Sequence, residues 1–253
     1  MTTPAAADAH YEDLLRKAEV LFPGVDIGRP GRSRGFKPTI AAVRALRARF
    51  DVTTEGLDQV PKGSAILIGN HSHFLDPVVV VMNAWWQVAA FTKVEWFEHR
   101  YSFFFRLMGQ IPLRRGDEEA TAWAMEMSQA ILAGGGKVAI YPEGTRSPDS
   151  EVLHRFHKRI LIPLLRANPD VPVHLVFTEF GPKRGVRRRK VLVRASGRVA
   201  LDARNMTPEE MVAVLRDGLI ELGGMRYEDR YARDVKAELR AAREQDGHGK
   251  DTA

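Results

Sequence analysis

The spacing of apolar residues changes along this 253-residue chain. From Tyr11 to Leu21 they fall at helical intervals (Leu14, Leu15, Ala18, Val20, Leu21), and the pattern stops before Pro23-Gly24. Gly24 to Lys37, rich in glycine, arginine and proline, reads as a linker. Thr39 to Arg49 predicts a basic amphipathic helix with Ile40, Val43, Leu46 and Phe50 on one side. Shorter runs then take over. Phe50 to Thr53 alternates like a strand, while Ala65 to Gly69, Lys137 to Tyr141 and Val171 to Phe177 are apolar runs expected in buried strands. Ile111-Pro112-Leu113 is a further short strand. Helical patterns cover Pro77 to Ala90, His99 to Met108, Glu118 to Ala133 and Ile160 to Arg166. Val191 to Arg194 and Arg198 to Leu201 are spaced to pair as a hairpin. Thr207-Pro208-Glu209-Glu210 combines a threonine N-cap, proline at the first helical position and a glutamate three residues on, which opens a helix to about Leu222.

Strands alternating with helices predict an α/β fold: a mostly parallel or mixed central sheet flanked by helices, with an N-terminal helical segment. The expected divisions are a disordered N-terminus (1–10), a helical segment and linker (11–48), one domain (49–230) and a charged C-terminal tail (231–253) that reads as a frayed helix. The chain has no cysteine, which excludes thiol nucleophiles and zinc–thiolate sites. Its net charge of +6 points to a polyanionic partner: anionic lipid, nucleic acid or a phosphorylated small molecule. The strongest basic run, Lys183 to Lys190, suits an anionic lipid surface, and no nucleic-acid-binding motif accompanies it. No segment has the form of a signal peptide or the length of a membrane span. Aromatic residues concentrate at Trp85, Trp86, Phe91, Trp96, Phe97, Tyr101 and Phe103-Phe104-Phe105, with Arg100 and Arg106 beside the phenylalanines. Such a segment suits the headgroup boundary of a membrane, although core packing accounts for the tryptophans equally well.

Three segments carry candidate chemistry. In Gly69-Asn70-His71-Ser72-His73-Phe74-Leu75-Asp76-Pro77, between a strand and a helix, Asp76 is placed as N-cap with Pro77 at the first helical position. His71 can fold back so that its ring meets the carboxylate, giving a general-base unit for a substrate hydroxyl. Taken alone, the pattern also fits a helix cap with bystander histidines. The second segment, Gly109 to Arg115, ends on two arginines leaving a strand, and at least one guanidinium near the sheet edge suits a phosphate. In the third, Tyr141-Pro142-Glu143-Gly144-Thr145-Arg146-Ser147, Pro142 stops a strand and Gly144 permits a tight turn. Glu143, Thr145 and Arg146 there offer an acceptor, a hydroxyl and a fixed cation. Gly134-Gly135-Gly136 departs from a phosphate-binding loop, with Ile131 and Val138 at positions that such a loop gives to glycine and serine or threonine.

In order and spacing these segments resemble the glycerolipid acyltransferase family, which includes lysophosphatidic acid and glycerol-3-phosphate acyltransferases. Its first block, histidine and aspartate separated by four residues, is matched by His71 and Asp76. Its second is matched by Gly109 through Arg115, and its third, phenylalanine-proline-glutamate-glycine-threonine-arginine, with only Tyr141 substituted. Val171 to Val176 approximates the fourth, with Leu175 where a second proline is common. Many relatives follow the third block with phenylalanine-lysine-any-glycine; here it reads Phe156-His157-Lys158-Arg159. The resemblance implies that His71 is the base and Asp76 its orienting carboxylate. Arg115, Glu143, Gly144, Thr145 and Arg146 would bind substrate, with no metal and no cofactor beyond acyl-CoA or acyl-carrier protein as co-substrate. It further implies a lysophospholipid acceptor, favoured as 1-acyl-glycerol-3-phosphate giving phosphatidic acid. Glycerol-3-phosphate, another lyso-lipid, or a catalytically silent lipid-binding role are the alternatives. The expected location is cytoplasmic, peripheral on the inner face of the membrane, without nucleic acid.

Overall fold

The computed structural model describes residues 4–45, 50–183 and 188–248. In chain order the elements are α1 (Pro4–Leu21), α2 (Phe36–Arg44), β1 (Phe50–Glu55), β2 (Ala65–Gly69), α3 (Asp76–Ala84), β3 (Val88–Lys93), α4 (Glu95–Glu98), α5 (Ser102–Met108) and β4 (Ile111–Leu113). They continue with α6 (Glu118–Ala133), β5 (Lys137–Ile140), β6 (Val152–His154), α7 (Lys158–Ala167), β7 (Val173–Phe180), β8 (Arg189–Ala195), α8 (Pro208–Gly223), β9 (Arg226–Glu228) and α9 (Ala232–His248). Seven strands form one mixed sheet in the order β1-β8-β7-β2-β5-β3-β4, parallel throughout except for the β7–β8 pair. The fold is the expected α/β layering.

Alternation along the central strands sorts the core into two faces. Ile66 and Ile68 of β2, with Val138 and Ile140 of β5, join residues of α1, α6, α7 and α8. Leu67 and Ala139 point the other way, toward α2, α3 and α5. β2 is buried along its whole length. Truncating Ile68, fully buried, to alanine removes about 2–5 kcal/mol of stability. The predicted bounds of β2 and α6 are the observed ones. α8 opens on a complete capping box: Thr207 Oγ1 accepts from Glu210 N, and a Glu210 carboxylate oxygen accepts from Thr207 N at 2.7 Å.

Elsewhere the structure departs from the expectations. The N-terminus is helical from Pro4, inside the segment expected to be disordered. Proline at the first position followed by alanines favours helix without leaving an apolar period to read. α1 is fixed on α6: Trp123 Nε1 donates to Leu14 O at 2.7 Å, and Phe22 meets Trp123 edge-on. The linker after it is a fitted strap, with Ile27 buried and Gly31 N donating to Gly109 O at 2.8 Å. α2 starts at Phe36, and the end of the helix expected to reach Arg49 lies outside the described residues. The helix expected over Pro77 to Ala90 ends at Ala84, where Trp85 takes a left-handed conformation (φ 57°), and Val88–Lys93 is a strand. A short apolar run buried on both sides has no period to separate helix from strand. The segment His99 to Met108 is helical only from Ser102. β8 pairs with β7 and β1 instead of forming a hairpin with Arg198 to Leu201, where Val199 N donates to Val173 O. β6 and β9 form a separate two-stranded parallel sheet, whereas the charged tail is helical as expected, over α9.

Candidate active site

β2, β5 and β7 are adjacent and parallel, so their carboxyl ends open on one edge of the sheet, where ligand crevices form in such folds. The loop leaving β2 is tied to β7 by Asn70, whose side-chain amide donates to Thr178 O at 2.9 Å and accepts from Thr178 N at 2.8 Å. That pairing continues the sheet by one side chain and sets the position of the next residue, His71.

Asp76 is fully buried, and its carboxylate turns back into the loop. Oδ2 accepts from Ser72 N at 2.9 Å and His73 N at 2.8 Å and lies 2.9 Å from His71 Nδ1. Oδ1 accepts from Thr178 Oγ1 at 2.8 Å. Asp76 is therefore not the N-cap expected from the Asp-Pro pair. Leu75 holds that position without a side-chain cap, and Asp76 is the first helical residue. The buried carboxylate meets four donors and, among the described residues, no arginine or lysine. With Nδ1 carrying its proton toward Asp76, His71 presents Nε2 as an acceptor, and no group among the described residues hydrogen-bonds it.

The turn after β5 braces the same histidine. Glu143 is buried, its Oε2 accepting from His71 N at 2.8 Å and its Oε1 from His154 N at 3.1 Å. Ser147 N donates to His71 O at 2.6 Å, so this turn holds both ends of the His71 residue. Burial pushes the Glu143 pKa up to about 7, against the two N–H bonds that lower it. Both oxygens being engaged, Glu143 orients His71 and is not the free acceptor for substrate that the sequence suggested. Gly144 has φ 70°, and a Cβ there would lie 2.7 Å from the His157 ring, so glycine is required twice over.

Gly144 O accepts from the Arg115 guanidinium, which reaches over from the loop after β4. Its neighbour Arg114 faces away, donating to Leu21 O at 2.8 Å and covering the Phe22 ring. Thr145 is half-buried, and Arg146 is exposed without an ion pair among the described residues. The structure thus gathers His71, Asp76, Arg115, Glu143, Gly144, Thr145 and Arg146 at one sheet edge. His73, two residues from His71, is occupied otherwise. It stacks on Phe180 with ring centroids 4.1 Å apart, and an Arg189 nitrogen lies 3.0 Å from its Nε2. Burial, then the Arg189 charge, lower its pKa. Asn70, Thr178, His157 and the C-terminal arm escaped sequence reasoning. Asn70 adjoins the motif and was readable, whereas the others arrive from distant segments.

Phe74, Trp85, Trp96, Tyr101, Phe103 and Leu107 are exposed, and of these Phe74 lies in the site loop with its ring 6.0 Å from that of Trp96. The phenylalanine triplet does not face one way: Phe103 is 51% exposed, while Phe104 and Phe105 pack against opposite core faces. Within the basic run, residues 184–187 lie outside the described residues; Arg188 and Lys190 are exposed, and Arg189 donates to Gly181 O. No helix among the described residues is long and apolar enough to cross a membrane.

Comparison with known proteins places residues 51–176 within a family model for acyltransferases. The chain is 26% identical over 106 residues to the chloroplastic 1-acyl-sn-glycerol-3-phosphate acyltransferase of Arabidopsis thaliana. That match covers 41% of the chain and spans 30% of the length of the plant protein. Among solved structures, the 1-acyl-sn-glycerophosphate (LPA) acyltransferase of Thermotoga maritima superposes with a TM-score of 0.54 at 24% identity, covering 74% of this chain and 79% of that one. The shared fold includes the central sheet.

Proposed function

Because this chain belongs to the glycerolipid acyltransferase family, we propose that it acylates the free hydroxyl of 1-acyl-glycerol-3-phosphate, with acyl-CoA or acyl-carrier protein as donor. His71 Nε2 takes the hydroxyl proton as the oxygen attacks the thioester carbonyl. Asp76 stabilises the imidazolium that forms. Collapse of the tetrahedral intermediate breaks the carbon–sulfur bond, and His71 returns the proton to the departing thiolate. An ester and a free thiol result, and no protein nucleophile is consumed. Arg115 and Arg146 supply fixed positive charge for the acceptor's phosphate.

The observation that carries this reading is the His71–Asp76 pair, 2.9 Å apart, with Nε2 free beside a turn bearing unpaired arginine. A silent lipid-binding protein has no use for a base braced at its ring and at both ends of its backbone. The exposed aromatics Phe74 and Trp96, whose rings lie 6.0 Å apart, support work at a membrane surface by peripheral contact. The test is acyl transfer by purified protein from each labelled donor to 1-acyl-glycerol-3-phosphate, glycerol-3-phosphate and neutral monoacylglycerol. The reading requires the first acceptor to be preferred. Preference for glycerol-3-phosphate replaces the substrate, and no transfer to any of them removes the function.

A further inference from the structure

The segment after α8 is bound to the turn that carries Thr145 and Arg146. β9 pairs with β6 from Val152–Arg226 to His154–Glu228. Arg155 grips Asp229 through two bonds of 2.9 and 2.8 Å, and its backbone N donates to Arg230 O at 3.0 Å. The Tyr231 ring then lies flat on His157, with centroids 4.4 Å apart and planes 7° apart. His157 in turn fills the space over Gly144. Two stacked rings therefore connect the arm to the turn. The next residue, Ala232, is fully buried. One helical turn later on the same face of α9 stands Lys236, whose ammonium feels the charges of both Glu143 and Arg146. Residues 237–244 are exposed, so α9 leaves the body just past this lysine.

The charges gathered here are unbalanced. Arg115, Arg146, Arg233 and Lys236 surround the turn together with His157. Among carboxylates, Asp234 pairs with Arg233 at 3.4 Å, and Glu143 is engaged by two N–H groups and raised toward neutrality by burial. Neither Arg146 nor Lys236 makes a hydrogen bond or ion pair within the described residues. Burial lowers the Lys236 pKa first and the Arg146 charge lowers it further, against the opposing charge of Glu143. Arg146 is exposed and Lys236 partly buried, and two cations beside one turn are stabilised by an anion between them.

We propose that Lys236 and Arg146 together bind the phosphate monoester of the acceptor, so that the C-terminal arm is part of the acceptor site. This deepens the acyltransferase reading and rests on it. The phosphates of a nucleotide-bearing donor offer the same chemistry, and the test separates the two sources. Steady-state transfer is measured for wild type, Lys236→Met and Lys236→Arg, with thermal unfolding as the folding control. Acceptors are 1-acyl-glycerol-3-phosphate and monoacylglycerol; donors are acyl-CoA and acyl-pantetheine. Lys236→Met should raise the KM for the phosphate-bearing acceptor about tenfold or more, the scale of a lost charge-assisted bond. The effect on kcat should be smaller, monoacylglycerol should lose less, and Lys236→Arg should recover most of the loss. A defect confined to acyl-CoA KM, or an equal loss with both acceptors, overturns the proposal. If wild type transfers to no acceptor, the functional reading itself fails, and a second readout still decides the site. Acetylation of Lys236 by acetic anhydride, followed by mass spectrometry, should be slowed by glycerol-3-phosphate in wild type and not in Arg146→Gln. No protection in wild type overturns the assignment.

Discussion

The loop from Asn70 to Asp76 and the turn from Glu143 to Arg146 lie side by side at one sheet edge, yet they use their polar groups in opposite ways. In the loop, Asp76 is buried and engaged by four donors, and Asn70 is paired at both ends of its amide. In the turn, Glu143 is engaged inward, while Arg146 is exposed without an ion pair among the described residues and Arg115 donates to a backbone carbonyl. The loop holds an acid–base group in one orientation, which proton transfer demands. The turn leaves positive charge unfilled, which suits recognition of an anion. One region is complete without substrate and the other is not.

Breaking the complete region should have the largest effect. Asp76→Asn removes the charge that stabilises the imidazolium and places an NH₂ among groups that already donate. Turnover should fall by about 10² to 10⁴, measured with saturating substrates after circular dichroism confirms folding. Breaking the open region should act on binding instead. Arg146→Ala should weaken apparent acceptor affinity by about 1.5–3 kcal/mol, the value of a hydrogen bond to a charged group, with a smaller change for the donor. A donor-only defect would assign this arginine to the donor's phosphates.

Glu143 sharpens the comparison through pH. Its folded pKa, about 7, lies above the ordinary carboxylate value of 4.5, so the folded state binds its proton more tightly. The stabilising contribution is complete below about 4.5 and is lost as pH rises through about 7. Wild type should therefore lose up to about 3 kcal/mol relative to Glu143→Gln between pH 4.5 and 7.5, read from urea unfolding at each pH. A difference that stays flat with pH would show that folding leaves the Glu143 pKa at its ordinary value. The smallest effect belongs to the periphery. Phe103→Ser should weaken binding to neutral and anionic vesicles alike, by no more than about 3 kcal/mol, measured by co-sedimentation. If only anionic vesicles respond, Phe103 is not inserted in the apolar layer.

Much of this arrangement was legible in the sequence where local rules and tertiary context agree. The capping box before α8, the apolar run of β2 and the His71–Asp76 spacing all behave as read. What escaped has particular physical causes. β3 is held in the sheet partly by Gln110, whose side chain accepts from Ala90 N and donates to Val88 O, a contact across twenty residues that no periodicity announces. β6 and β9 are three residues each and separated by about seventy, too short to stand out and too distant to pair by pattern. Asp76 looked like a cap because Asp-Pro usually is one. Only the donors contributed by Ser72, His73 and Thr178 show that its carboxylate faces the other way. The C-terminal arm read as a charged tail because its docking uses contacts from distant segments: Asp229 with Arg155, and Tyr231 on a ring 74 positions earlier.

The central claim is that His71 is the base, and its replacement tests it most directly. Purified wild type and His71→Ala should be compared in transfer of a labelled acyl group to 1-acyl-glycerol-3-phosphate, at matched thermal stability. The account predicts a fall of at least about 10² in turnover, with acceptor affinity little altered. A correctly folded His71→Ala protein that turns over near the wild-type rate contradicts it.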